Sequence, residues 1–422
     1  MEDVTKLGRG GHRAGRASRK RRRRQTGQSV SLSYQLQYVT LMRFLRKRGF
    51  ACVLQPAQFN DTGRGLQAHE IIKPDELIIS LPEVCLITTS TVLDSYLGPY
   101  IKSWKPHLSP LLVLCVFLVC ERHRGEDSDW FAYINILPAT YTCPAYFSDD
   151  VIALLPASIQ SRALDQRQAV KDLHSSHQDF FRSLQPILSR AVDEVLTYEA
   201  LRWAWCSVNT RSVFMSRPPS PFLSGQDVYA LAPFLDLLNH RPDVQVSASF
   251  NHVTACYEIR TVAGIQRYQQ AFINYGSHDN QRLLIEYGFV APGNPNSVVY
   301  IDTDLLQQVL RDAVDRSADH KMKFLRENNF SHNLTVSSDG PSWRLMTVLK
   351  VLALPQSSYP HWKAVLLGQL ISSLLQHCDE PMKEQLSVVR SLRQEEQNIL
   401  ESCMLVLHDT LGESSLAQPE QG

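Results

Sequence analysis

Residues 231–240 read LAPFLDLLNH, a run apolar enough to be buried that nonetheless carries Asp236, Asn239 and His240. Burying an unpaired polar group costs roughly 2–7 kcal/mol. A chain that sets three of them among Phe234, Leu235, Leu237 and Leu238 must therefore supply a partner for each. Two arrangements meet that demand. In one, the Asp and Asn cap a turn within the core; in the other, the polar groups serve a bound ligand. The segment alone leaves both open.

The rest of the chain narrows the choice. At 422 residues and 44% hydrophobic content it can bury the cores of two or three domains. No stretch approaches the roughly 18 apolar residues of a membrane span. The first residues lack a signal peptide's apolar core, so the protein is expected to stay inside the cell, away from membranes. Nine cysteines, scattered and without a C-x-x-C pair, suit reduced, buried thiols and argue against a zinc cluster or a disulfide framework; no metal is expected. Ten Lys or Arg against Glu2 and Asp3 give residues 1–24 a charge of +8, so the remaining chain carries −7 of the formal total of +1. A mildly acidic body suits a basic protein partner better than a phosphate backbone.

Residues 1–30 are rich in Gly, Arg and Ser and too poor in apolar side chains to offset the entropy of ordering, so a disordered tail is expected. Its dense part, SRKRRRR at 18–24, reads equally as a nuclear-import address, a weak nucleic-acid contact or a solvated tail. Apolar residues at Leu36, Val39, Met42 and Leu45 predict an amphipathic helix over 34–47, ended by Gly49. Residues 50–89 change to short β-like runs, with GRGL at 63–66 placing two glycines around Arg64, as a hairpin or a close approach to a ligand requires. A long helical region begins at PLLVLCVFLVCE, 110–121, too short to span a bilayer, and reaches about residue 210 through WAWCSVNTRSVF. Strands resume at 244–250, 253–262 and 270–276, and alternation in the second puts Ala255, Tyr257 and Ile259 on one face. After residue 290, helical runs at 304–313, 344–352, 362–376 and 381–407 predict a separate all-α module, and 411–422 reads as a flexible tail.

Six short motifs fall in one order: GRGL at 63–66, NTR at 209–211, DLLNH at 236–240, YEI at 257–259, NYG at 274–276 and EYGF at 286–289. Each is weak alone; in register they resemble the SET-domain protein methyltransferases, and most closely the subfamily typified by Rubisco large-subunit methyltransferase. The resemblance covers roughly residues 45–410. It implies an α+β fold: a SET domain of short β-sheets over 31–290 with a helical insertion at about 105–230, then an all-α substrate-binding domain over 291–410.

The resemblance also implies the chemistry, methyl transfer from S-adenosyl-L-methionine to a lysine of a protein, with a histone the foremost candidate. Arg64, Gly65 and Leu66 would line the cofactor through main-chain contacts, Gly65 leaving the way clear. Asn239 and His240 would hold its adenine and amino-acid ends, and Arg211 would meet its carboxylate. Tyr275 would be the catalytic tyrosine, Tyr287 and Tyr257 the aromatic wall around the amine, and Asp236 would face the same channel. A phenol with an ordinary pKa near 10 orients an amine rather than deprotonating it. Arg241-Pro242 and Ser212-Val213-Phe214 depart from the relatives' residues at the cofactor edge and at the positions that help set substrate and methylation degree. One relative in the subfamily methylates histidine. A monomer working in nucleus and cytoplasm is expected; the alternatives are a histidine or non-histone methyltransferase, or a non-catalytic scaffold associated with chromatin or RNA.

Overall fold

The computed structural model describes residues 29–312 and 317–363, together with 365, 366 and 369. Between Val298 and Val299 the chain divides into two compact units. The expected boundary after residue 290 lies just before this one. The basic tail and the helix expected at 381–407 lie outside the described residues, as does most of that expected at 362–376.

In the first unit, helix α1 (Leu36–Arg46) turns Tyr38, Leu41, Phe44 and Leu45 inward, so its buried face is offset from the one read by periodicity. Leu36 itself is 79% exposed. Strand β1 (Ser29–Ser31), ahead of the helix, and strands β2 (Leu54–Phe59) and β3 (Gly63–Ala68), after it, form an antiparallel set, with β2 and β3 joined as the expected hairpin. Strand β4 (Leu77–Pro82) then leads into the helical insertion. Its first long helix, α2 (Pro110–Arg124), is buried on all sides from Leu112 to Glu121, which accounts for its unbroken apolar run. No helix among the described residues is long and apolar enough to cross a membrane. Helices α3 (Ala157–Ser175) and α4 (Tyr198–Arg211) complete the insertion; Thr197 caps α4 by accepting from the Ala200 N–H at 3.1 Å.

Strands β5 (Ser212–Phe214) and β6 (Tyr229–Leu231) pair with each other, and β6 runs into the LAPFLDLLNH segment. There the chain turns sharply at Phe234, whose φ is +73°, makes a single 3-10 turn over Leu235–Leu237 and ends in the two-residue strand β7 (Asn239–His240). Positive φ is rare for an aromatic and costs about 1–3 kcal/mol. Burial of the Phe234 ring, edge-on to Phe50 at 5.2 Å, offsets that strain. Strands β8 (Val246–Asn251) and β9 (Cys256–Thr261) join β4 in a second sheet. Tyr257 and Ile259 face inward as expected, but Ala255 stands in the turn before β9 at φ +51° and does not share their face. Strand β10 (Gln270–Ile273) and helix α5 (Asn280–Tyr287) close the unit.

The second unit holds helices α6 (Thr303–Asp312), α7 (Ala318–Glu327) and α8 (Trp343–Ala353) around Leu306, Met322, Leu325, Leu345 and Val348. Its helical character is as expected. It also carries a three-stranded sheet, β11 (Val299–Tyr300), β12 (Thr335–Ser337) and β13 (Gly340–Pro341), whose strands are too short to leave a periodic signal.

Candidate active site

The first sheet has the order β1-β2-β3-β10-β7 and so sets three motifs from distant parts of the chain side by side. Leu66 of β3 pairs with Ala271 of β10, and on the other edge of β10 Phe272 and Ile273 run parallel to Asn239 and His240. The Asn239 amide crosses β10 to donate to the main-chain carbonyls of Arg64 (2.9 Å) and Thr62 (3.3 Å). A Cβ at Gly65 would lie 2.9 Å from Nδ2 of Asn239 and 2.5 Å from Nε2 of Gln270. The missing side chain therefore makes room for these two amides, where a path for the cofactor had been expected. The Arg64 guanidinium reaches away to the Ile136 carbonyl, and the Leu66 side chain is wholly buried.

Beside this sheet edge lies a cavity of about 540 Å³, lined by Arg211, Asn239, His240, Tyr275, Tyr287 and Phe289 among others. Nδ1 of His240 accepts the Tyr275 main-chain N–H at 3.1 Å, which assigns the imidazole proton to Nε2. Nε2 is buried and has no partner among the described residues. Burial, followed by the neighbouring His278, pushes the His240 pKa down, so the ring is neutral near pH 7. An unsatisfied buried N–H on a residue that lines a cavity calls for an explanation, and an acceptor from a bound molecule is one.

The Tyr275 hydroxyl donates to the Leu238 carbonyl at 2.6 Å. Burial drives its phenol well above the ordinary value against the opposing charge of Arg211, so it stays protonated. Its ring lies 4.8 Å from Tyr287 and 6.2 Å from Phe289, and the His240 ring is 5.2 Å away on another side. Arg211, at the C-terminus of α4, donates to the Asp236 main-chain carbonyl at 2.8 Å. Burial works against its charge, but the neighbouring Asp236 carboxylate pulls the other way and the guanidinium stays charged.

Two residues expected at the channel sit elsewhere. Asp236 is not among the residues lining the cavity; one carboxyl oxygen accepts from Tyr133 at 3.0 Å and the other has no partner among the described residues. Burial raises its pKa against the pull of Arg211 and the Tyr133 hydrogen bond. Tyr257 belongs to the second sheet, and its hydroxyl is 3.5 Å from the Phe214 carbonyl. The third ring of the aromatic wall is Phe289, the last residue of EYGF, which was legible as part of that motif.

Residues 140–142 of the insertion also line the cavity and carry no sequence signal. Gly288 fixes them. It ends α5 in the left-handed conformation at φ +77°, and a Cβ there would meet the Cys143 main-chain nitrogen at 2.9 Å. Thr142 donates to the Gly288 carbonyl, locking the insertion loop onto the EYGF turn. The seven cysteines among the described residues are free thiols.

Comparison with known proteins places the chain. The SET domain pattern matches residues 63–276. SET domain-containing protein 4 of Mus musculus is 44% identical over 426 residues, covering 93% of this chain and 97% of its own. Its Homo sapiens counterpart is 48% identical over 364 residues, covering 85% and 82%. Rubisco LSMT, solved bound to AdoMet, shares the fold at a TM-score of 0.54 and 18% identity, covering 91% of this chain and 97% of its own. The chain belongs to the SET-domain family of methyltransferases. The cofactor expected from its motifs, S-adenosyl-L-methionine, is the one that this neighbour holds. More distant relatives include the actin-histidine N-methyltransferase of Homo sapiens, 28% identical over 66% of this chain and 47% of its own length.

Proposed function

We propose that the protein transfers the methyl group of S-adenosyl-L-methionine to a lysine side chain of a basic protein, with histones the foremost candidates. It would act as a monomer in nucleus and cytoplasm. The observation that carries this reading is the meeting of the Tyr275, Tyr287 and Phe289 rings beside a buried, unpartnered His240 Nε2–H on one cavity wall.

The residues present fit the cofactor. His240 Nε2–H offers a buried donor with no acceptor among the described residues, and Arg211 offers a half-buried cation toward a carboxylate. Together with Asn239, these residues would hold it, and when bound it supplies an electrophilic methyl group. The chain's own part is to orient and exclude water, since an in-line displacement needs its reactants aligned and dry. Because Tyr275 stays protonated, its phenol is no base. With its proton committed to the Leu238 carbonyl, its oxygen keeps lone pairs for a hydrogen bond from an amine. The ring faces of Tyr275 and Tyr287 favour an ammonium or its methylated product.

Rubisco LSMT bound to sinefungin and monomethyllysine supports lysine as the acceptor type. The acidic body and the SRKRRRR stretch at 18–24 support a basic partner and nuclear entry. Tritiated cofactor incubated with core histones and cell lysate tests the proposal, wild type against Tyr275→Phe. No cofactor binding by the wild type, or equal labelling by the variant, overturns it. The actin-histidine relatives favour a second reading, histidine as the acceptor, which mass spectrometry of the labelled product separates from the first.

A further inference from the structure

We infer that a second cavity, sharing Tyr287 with the first, takes a basic side chain of the protein substrate close to the residue that is methylated. This rests on the methyl-transfer reading and adds a substrate preference to it. The cavity, of about 240 Å³, is lined by Gln166 of α3, Trp205 and Asn209 of α4, and Glu286 and Tyr287 of α5. Trp205 and Asn209 are one helical turn apart and so share a face of α4, the same helix that ends in Arg211 at the first cavity.

What the lining leaves uncommitted defines the ligand. The Gln166 oxygen accepts the Ala145 N–H at 3.0 Å, and its nitrogen gives one of its two hydrogens to the Ile285 carbonyl at 2.6 Å. Asn209 gives one of its two amide hydrogens to the Trp205 carbonyl at 2.8 Å, and its side-chain oxygen remains available as an acceptor. Glu286 takes Nε of Arg282 on one oxygen at 2.8 Å and leaves the other without a partner among the described residues. That ion pair is an exposed i,i+4 contact, Arg282 being 52% exposed, and such pairs are weak and readily shared. The cavity thus offers two acceptors, one of them anionic, beside a Trp and a Tyr ring. The Glu286 charge and the two ring faces favour a guanidinium or ammonium and repel an anion. Because Tyr287 also walls the first cavity, a side chain held here belongs to a residue near the acceptor in the substrate.

The test uses the full chain with S-adenosylhomocysteine present. N-acetyl-arginine methylamide is titrated while the indole N–H resonance of Trp205, assigned by its loss in Trp205→Phe, is followed. N-acetyl-citrulline methylamide serves as the neutral isostere. A saturable shift is expected with the arginine compound, at least about fivefold weaker with citrulline and in Glu286→Gln. An unmoved resonance, or equal binding by the citrulline compound or by Glu286→Gln, overturns the inference whether or not methyl transfer occurs. In a second arm, lysine peptides flanked by arginine or by citrulline are labelled with tritiated cofactor. The arginine-to-citrulline labelling ratio should exceed about five in the wild type and fall toward one in Glu286→Gln; a ratio near one in the wild type contradicts the proposed preference. If every peptide fails to label while the Trp205 shift persists, the assigned function falls and the basic-side-chain site stands.

Discussion

The main-chain N–H of Tyr275 donates to Nδ1 of His240 at 3.1 Å, and this contact leaves the imidazole proton on Nε2. It joins the DLLNH and NYG motifs through one hydrogen bond. Replacing His240 by Phe keeps a ring of similar size and removes the Nε2–H. Cofactor affinity should fall by about tenfold or more, the worth of one buried, directed hydrogen bond. Isothermal titration of S-adenosyl-L-methionine into both proteins measures it.

The same residue sets a pH dependence. Burial lowers the folded-state pKa of His240 below its unfolded value, so the unfolded chain takes up the proton first as pH falls. The stability linked to this group is fully present above the unfolded value, near 6.5, and declines as pH drops toward the lower folded value. Unfolding midpoints measured between about pH 7.5 and pH 5 should fall more steeply for the wild type than for His240→Phe.

Asp236 and Arg211 are both half-buried, and each shifts the other's ionisation. Asp236→Ala removes the principal counter-charge of Arg211 and the acceptor of the Tyr133 hydroxyl together. A loss of roughly 1–3 kcal/mol is expected, as for leaving a buried hydrogen-bond partner unpaired. Urea denaturation monitored by tryptophan fluorescence reads it.

Gly65→Ala puts a methyl group 2.5 Å from Gln270 Nε2 and 2.9 Å from Asn239 Nδ2, inside the bridge between β3 and β7. The amides must move, and the Asn239 bonds to Arg64 and Thr62 weaken with them. Destabilisation of about 1–3 kcal/mol is expected, with a matching drop in thermal midpoint.

Tyr257→Phe separates two views of the aromatic wall. Its hydroxyl is 3.5 Å from the Phe214 carbonyl, too far to count as a sound hydrogen bond, and the ring is outside the cavity lining. Methylation rate should stay within about twofold of wild type and stability within about 0.5 kcal/mol, whereas Phe289→Ala should depress kcat/KM by about tenfold or more. Steady-state kinetics on one substrate ranks the two variants.

The sequence made some of this legible and hid the rest for definite physical reasons. Three polar residues inside LAPFLDLLNH announced that burial had to be compensated, and two of them, Asn239 and His240, do line the cavity. Asp236 carries the same signal with a different resolution, because its partner Tyr133 lies in the insertion, 103 residues away along the chain. Alternation in β9 put Tyr257 and Ile259 on one face, which is buried, but period-2 patterning does not say which cavity a buried ring adjoins. Residues 140–142 belong to a loop with no period at all, and their place is set by Gly288, whose need for positive φ is invisible without coordinates. The second unit's helices left a 3.6-residue pattern, while its strands of two or three residues were too brief to leave one.

The most direct measurement is methyl transfer from S-adenosyl-L-methionine, tritiated at the methyl group, to proteins of a cell lysate, followed by mass spectrometry of the labelled residue. Wild type should label at least one basic protein on lysine, and Tyr275→Phe should reduce that labelling by about a hundredfold, the scale of one lost orienting contact at the reacting centre. Equal labelling by Tyr275→Phe, or no labelled protein with a wild type that fails to bind the cofactor, would contradict a methyl-transfer site at the Tyr275–His240 wall.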